Sequence, residues 1–241
     1  LGCGSPVLIL HGLFGEAKNW MTIAKSLSVD HEVHVIDQRN HGNSFHHSDH
    51  NYLILAFDIF NYIEDKKLEK VSIIGHGFVG KALDDGLNNN VDKMIIDPIY
   101  NNKIPDLESF EPKFIFICVP TPMIKNGDQD LEILKNVIEQ INNLNFDSQV
   151  VLKSTVLPSH IEHIATLIPN IVYNPEFLTE RHASKDFINA EFIILGGKNY
   201  NTDKTSNFYK NHTKCITSSY FKTDLIAASF IKYTSNCFLQ R

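Results

Sequence analysis

The sequence predicts an α/β protein built on a doubly wound, mostly parallel sheet, and two observations predict it. Short apolar runs alternate with helix-like stretches along the 241 residues, the rhythm of strands buried between layers of helix. The run Val71-Ser72-Ile73-Ile74-Gly75-His76-Gly77-Phe78-Val79-Gly80 sets three glycines between a strand and a helix-compatible stretch beginning at Lys81. A strand, a tight turn and a helix in that order are the nucleus of such a sheet.

The bulk properties set bounds. Hydrophobic residues make up 43% of the chain and the formal net charge is −6, which gives no basic footprint for nucleic acid. No apolar run approaches the roughly 18 residues of a membrane span. Cys3, Cys118, Cys215 and Cys237 are scattered without a C-x-x-C pair, which argues against zinc or a disulfide framework and suits a reducing cytoplasm. The chain starts at Leu1 instead of Met and stops at Arg241 inside a helical pattern, so both ends read as cut.

In chain order, Pro6 to Leu10 is a strand, Trp20 to Leu27 an amphipathic stretch, Glu32 to Ile36 a strand and Tyr52 to Asp65 a helix leading to the strand at Val71. His41, His46, His47 and His50 lie among Ser44, Ser48 and Asp49. They read as a polar surface loop rather than a metal site, because ligands need rigid elements and supporting partners. Beyond the glycines, Lys81 to Asn89 reads as a helix and Lys93 to Asp97 as a strand. Lys113 to Val119 follows as a nearly all-apolar strand that breaks at Pro120-Thr121-Pro122. Asp130 to Leu144 reads as a helix, Gln149 to Lys153 as the next strand, and Ile171 to Tyr173 with Glu191 to Leu195 as the last two.

Gly75 to Gly80 fits G-x-G-x-x-G, a turn in which backbone can approach a pyrophosphate lying on a helix N-terminus. Asp97, twenty residues past Gly77, stands where an acidic residue meets ribose hydroxyls and disfavours a 2′-phosphate, which predicts NAD over NADP. The same turn nearly fits the G-x-S-x-G nucleophile elbow, but its tip is Gly77, which has no oxygen to attack with.

Two resemblances follow. Leu10-His11-Gly12-Leu13-Phe14-Gly15 with Asn19-Trp20, the run Asp37-Gln38-Arg39-Asn40-His41-Gly42-Asn43-Ser44, and Leu68 to His76 resemble the N-terminal third of α/β-hydrolase esterases. That resemblance implies an oxyanion-hole amide at Leu13. It stops one residue short of the serine, and no acid and histidine in hydrolase context follow, so hydrolase activity is not expected. From Gly75 onward the chain resembles the UDP-glucose/GDP-mannose dehydrogenase family. The motifs are Gly75 to Gly80, Ile96-Asp97-Pro98, Cys118-Val119-Pro120-Thr121-Pro122, Lys153-Ser154-Thr155-Val156, Asn174 to Glu180 and Ile231 to Leu239.

The second resemblance implies NAD as cofactor and oxidation of the C6 alcohol of a nucleotide sugar to a carboxylate through a cysteine thiohemiacetal. It implies that Gly75, Gly77, Phe78, Val79, Gly80, Asp97, Pro120, Thr121 and Thr155 surround the cofactor. It further implies that Thr155 and Glu180 assist proton movement with Glu176 beside them, and that Lys232 and Asn236 hold the developing oxyanion. The residues agree, since Lys232 and Asn236 share a helix face and a desolvated cation with an amide can stabilise such charge.

The family's cysteine segment and second nucleotide domain are not found in the sequence, and Cys237 reads as a small packing residue. Three segments are therefore expected: a partial α/β-hydrolase-like piece at 1–70, a Rossmann NAD-binding domain at 71–217, and the start of a central dimerisation helix at 218–241. The expected activity is that of a dehydrogenase fragment inactive alone. The alternatives are a hydrolase-like protein without its nucleophile and a fusion product without function. Expected partners are a nucleotide sugar, once a completing domain is supplied, and a second copy through the C-terminal helix. Both parents claim the strand 71–74. The larger half is expected to keep it, flanked by Lys93–Asp97 and Gln149–Lys153.

Overall fold

The computed structural model describes residues 1–2, 5–66, 69–125, 127–144 and 147–239. Cys3, Gln240 and Arg241 lie outside the described residues, as do the side chains of Cys237, Phe238 and Leu239. The chain divides into two compact units, Leu1–Lys67 and Leu68–Arg241.

The first unit holds a two-stranded parallel sheet of β1 (Ser5–Leu10) and β2 (His31–Ile36), with α1 (Met21–Leu27) between them in sequence and α2 (Tyr52–Lys66) after them. Its loops are pinned by polar groups. Asp37 accepts the backbone N–H of Ala17 at 2.6 Å and of Asn43 at 3.0 Å. Arg39 grips both oxygens of Asp58, at 2.5 and 2.7 Å.

The second unit carries β3 (Glu69–Ile74), α3 (Phe78–Gly86), β4 (Val91–Ile96), α4 (Leu107–Phe110), β5 (Phe114–Ile117) and α5 (Glu132–Asn142). It continues with β6 (Gln149–Leu152), α6 (Pro158–Leu167), β7 (Val172–Tyr173), α7 (Ala183–Ile188), β8 (Ile193–Gly196), α8 (Asn199–His212), β9 (Tyr220–Thr223) and α9 (Leu225–Leu239). The strands form one seven-stranded sheet in the order β4-β3-β5-β6-β7-β8-β9. It is parallel apart from the β7–β8 pairing.

Strand periodicity sends alternate side chains into two cores. On β5, Ile115 and Ile117 join Leu134, Ile138, Ile161 and Ile164 of α5 and α6. Phe114 and Phe116 point the other way, to Leu83, Phe187, Phe208 and Tyr209 of α3, α7 and α8. Helices on both faces make the sheet doubly wound.

Two expectations need correction. Both edges of β3 are indeed taken within the second unit, but the neighbours are β4 and β5; Gln149–Leu152 pairs with Phe114–Ile117 instead. The reason lies in β4, whose Asp92 and Lys93 are exposed, so it suits an edge. β5 is buried at every residue and takes an interior place. The helix expected from Lys81 starts at Phe78 and ends at Gly86, because Gly77 caps it directly and the Lys81 N–H donates to the Gly77 carbonyl at 2.9 Å. The edge strand β9 and helices α4, α6, α7 and α8 were not read from the sequence.

Among the described residues, no helix is long and apolar enough to cross a membrane.

Candidate functional site

The order β4-β3-β5 sends the chain from β3 outward to β4 and then back past β3 to β5. That reversal opens a crevice at the carboxyl ends of β3 and β5, the place where ligands bind open α/β sheets. The glycine turn sits there.

The three glycines have different reasons to lack a side chain. Gly75 has φ +92°, in the left-handed region, and a Cβ there would lie 2.7 Å from the Cys118 carbonyl oxygen. A Cβ on Gly80 would come 2.0 Å from the Gly75 carbonyl oxygen, so that glycine lets α3 pack on the turn. Gly77 is different: nothing lies within 4 Å of its missing Cβ. The protein's own packing does not require a glycine there, whereas a phosphate approaching the N-terminus of α3 does.

A cleft of about 470 Å³ opens at this point. Gly75, Gly77, Phe78, Val79 and Asp97 line it from β3, α3 and the end of β4. Pro120, Thr121 and Thr155 line it from the loops after β5 and β6, and Glu176 and Lys232 are also in the lining. Three of the residues singled out in sequence lie elsewhere. Gly80 is buried beneath the turn, Glu180 is exposed at the start of a 3₁₀ turn, and Asn236 is a half-buried residue of α9 outside the lining.

Asp97 organises the turn. Its Oδ2 accepts the His76 N–H at 2.7 Å and its Oδ1 the Ile99 N–H at 3.2 Å. The His76 ring bridges Tyr100 Oη, 3.0 Å from Nδ1, and Asp84 Oδ2, 3.2 Å from Nε2, while Lys93 pairs with the other Asp84 oxygen. Opposite, Thr121 Oγ1 donates to the Thr155 carbonyl at 2.6 Å, and Gln129 Nε2 reaches the same oxygen at 3.0 Å.

Beneath the cleft, Lys153 is 2% exposed and its ammonium pairs with Glu176. Burial pushes its pKa down to about 8. Lys232 Nζ donates to the Glu176 carbonyl and lies 5.1 Å from the Phe177 ring centre; burial lowers its pKa. Cys118 also lines the cleft, but burial pushes its thiol up to about 12, so it is no thiolate near neutral pH. His76, Gln129 and Lys153 were not singled out in sequence. For Lys153 a signal existed: a lysine closing an otherwise apolar interior strand.

In the first unit, a cavity of about 780 Å³ is lined by Leu10, His11, Leu13, His41 and His50 among others. The His11 and His41 rings are 4.8 Å apart and those of His41 and His50 5.9 Å. Backbone groups occupy the imidazoles: the Gln38 N–H donates to His11 Nε2 at 3.0 Å, and His41 Nδ1 lies 2.9 Å from the Arg39 carbonyl. Among the described residues no group of three or more His, Cys, Asp or Glu could hold a metal.

Two family models match separate stretches of the chain. Residues 107–213 match the model of the UDP-glucose/GDP-mannose dehydrogenase family, NAD binding domain, and residues 5–78 match that of the alpha/beta hydrolase fold. The chain belongs to the alpha/beta hydrolases, and its second unit is similar to the NAD binding domain of the dehydrogenase family. An abhydrolase domain-containing protein of Schizosaccharomyces pombe is 31% identical over 206 residues, covering 76% of this chain and 76% of that protein. A UDP-glucose 6-dehydrogenase of Rickettsia felis is 33% identical over 150 residues, covering 58% of this chain. The chain spans 32% of that dehydrogenase's length. Among solved structures, a UDP-glucose dehydrogenase from Pyrobaculum islandicum superposes with a TM-score of 0.61 at 21% identity, over 71% of this chain and 50% of that one. That likeness shows the shared Rossmann-type fold. The cofactor of the dehydrogenase family's domain is NAD, and the space at Gly77 fits it.

Proposed function

We propose that the second unit binds NAD in the 470 Å³ cleft and supplies the cofactor half of a nucleotide-sugar 6-dehydrogenase, which oxidises a primary alcohol toward a carboxylate. The observation that carries the reading is Gly77, a glycine facing open space at the N-terminus of α3. When bound, NAD accepts the hydride from the alcohol carbon. The remaining work falls to side chains.

Asp97 holds the turn by two backbone N–H groups and presents its carboxylate at the strand end, where it favours ribose hydroxyls over a 2′-phosphate. Lys232 brings a half-buried positive charge to the cleft, suited to an oxyanion on the substrate carbon. Thr155 and Glu176 offer a hydroxyl and a carboxylate for water or a substrate hydroxyl. Glu180 and Asn236 stand outside the lining, so their roles require movement or a partner surface.

The relatives named for this reaction are about three times as long as the matched stretch. The thiol at the cleft, Cys118, is held protonated and cannot serve as a nucleophile. We therefore propose that residues 1–241 bind NAD without turnover unless further groups are supplied, and that the hydrolase-like unit, with Gly77 where a serine would stand, does not hydrolyse esters. Half-exposed Ile226 and Phe230 on α9 and Phe221 on β9 make self-association the proposed assembly.

Calorimetric titration with NAD tests the reading. Wild type binds, and Gly77→Val and Asp97→Ala each weaken binding at least tenfold. No binding by wild type, or equal binding by all three proteins, overturns it.

A further inference from the structure

A buried lysine needs an explanation, because desolvating an ammonium is expensive unless every proton finds an acceptor. Lys153 Nζ donates to Asn174 Oδ1 at 2.8 Å and to Tyr209 Oη at 3.0 Å, and pairs with Glu176 Oε1. Three donors meet three acceptors. A neutral amine has two N–H groups and would leave one acceptor unserved.

The acceptors are themselves fixed. Tyr209 Oη donates to Asn174 Oδ1 at 2.5 Å, Asn174 Nδ2 donates to the Ile194 carbonyl at 2.9 Å, and the Asn174 backbone N–H donates to the Leu152 carbonyl at 2.8 Å. The cage thus ties the carboxyl end of β6 to the residues after β7 and to β8 and α8. Tyr209 and the thiols of Cys118 and Cys215 stay neutral, since burial raises all three. That leaves Glu176 as the counter-ion.

Glu176 is the member that reaches outward. Its side chain is 14% exposed and lines the cleft, and Lys232 holds its backbone carbonyl from α9. Oε1 is spent on Lys153.

We infer that Lys153 is a positioning residue: its caged ammonium keeps the Glu176 carboxylate ionised and fixed in direction, with one oxygen on the lysine and the other left to the cleft as an acceptor for a substrate hydroxyl or water. What that acceptor meets rests on the dehydrogenase reading; the ion pair does not. In this arrangement Glu176 orients a hydroxyl rather than trading its own proton.

The test is a ¹³C NMR titration of the full chain labelled at glutamate Cδ, with the Glu176 resonance assigned by its loss in Glu176→Gln. In wild type, Glu176 stays ionised to below the ordinary glutamate value of about 4.3. In Lys153→Met, the same resonance titrates at least one pH unit higher than in wild type. An unshifted titration in a folded Lys153→Met overturns the inference. If that variant does not fold, wild type alone decides: a Lys153 ¹⁵Nζ signal of an ammonium at pH 7 supports the cage, and that of a neutral amine overturns it. NADH fluorescence titrations on the same samples keep the two readings apart. Loss of NADH binding with the Glu176 shift intact discards the dehydrogenase reading and keeps the positioning role; intact NADH binding with no shift discards the positioning role alone.

Discussion

The two units are held together by different means. In the second, a sheet buried on both faces carries two apolar cores, and residues such as Ile73, Phe116 and Leu152 have no exposure at all. In the first, Ala24 and Val33 are the buried hydrophobic residues among those described, while Phe14, Tyr52, Leu53 and Phe57 are 92, 92, 82 and 61% exposed. What orders its loops is polar: the Asp37 carboxylate on two backbone amides and the Arg39–Asp58 fork. One unit is organised around burial, the other around a few directed bonds. They should therefore fail under different conditions, and the single tryptophan, Trp20, reports on the first unit alone.

The largest effect is expected in the second unit's core. Phe116 is fully buried, with the Phe208 ring 5.4 Å and the Tyr209 ring 6.4 Å away. Phe116→Ala should cost about 3–5 kcal/mol, read as an earlier circular-dichroism transition with the Trp20 fluorescence transition unmoved. If both transitions move together, the units are not separate in stability.

Next are the glycines. Gly80→Ala drives a Cβ into the Gly75 carbonyl and should lower the melting temperature as well as NAD affinity, whereas Gly77→Ala meets open space and should weaken NAD binding with an unchanged melting temperature. Equal effects of the two would remove the distinction on which the site rests.

A smaller effect belongs to the first unit. Asp58→Asn replaces a charge-assisted fork by a weaker one and should cost about 1–2 kcal/mol, seen at Trp20 only. Asp37 and Asp58 both have pKa values lowered from 3.8, by the amides of Ala17 and Asn43 and by Arg39 respectively. A lowered carboxylate stabilises the fold above its unfolded pKa and loses that contribution as pH falls through the folded one. Trp20 should accordingly report unfolding as pH drops below about 4.

The second unit has a weak acid response of its own at higher pH. Burial lowers the pKa of His212 from 6.5, with Glu69 opposing. The unfolded chain then binds the proton more readily, so stability falls as pH drops from 6.5 toward the folded pKa and levels off below it. His212→Gln should flatten the circular-dichroism stability profile between pH 7 and 5. An unchanged slope would mean the histidine is not responsible.

The same contrast shows what could be read in advance. The glycine turn, Asp97 and the apolar strands are local patterns, and the sequence displays them. The order of the sheet is not local: it depends on β4 tolerating an edge, which shows only when Asp92 and Lys93 are seen facing solvent. Helix α8 escaped because its buried face is largely polar, built from Asn201, Thr202, Thr205 and Ser206. Lys153 escaped because its partners Asn174 and Tyr209 lie 21 and 56 residues away.

Hydrogen exchange of the full chain with and without NAD tests the central claim most directly. The account predicts protection of residues 75–80, 97–100, 118–121 and 153–155 on adding NAD, with exchange in residues 5–66 unchanged. Protection around residues 10–13 and 38–41 instead, or no protection anywhere, would contradict it.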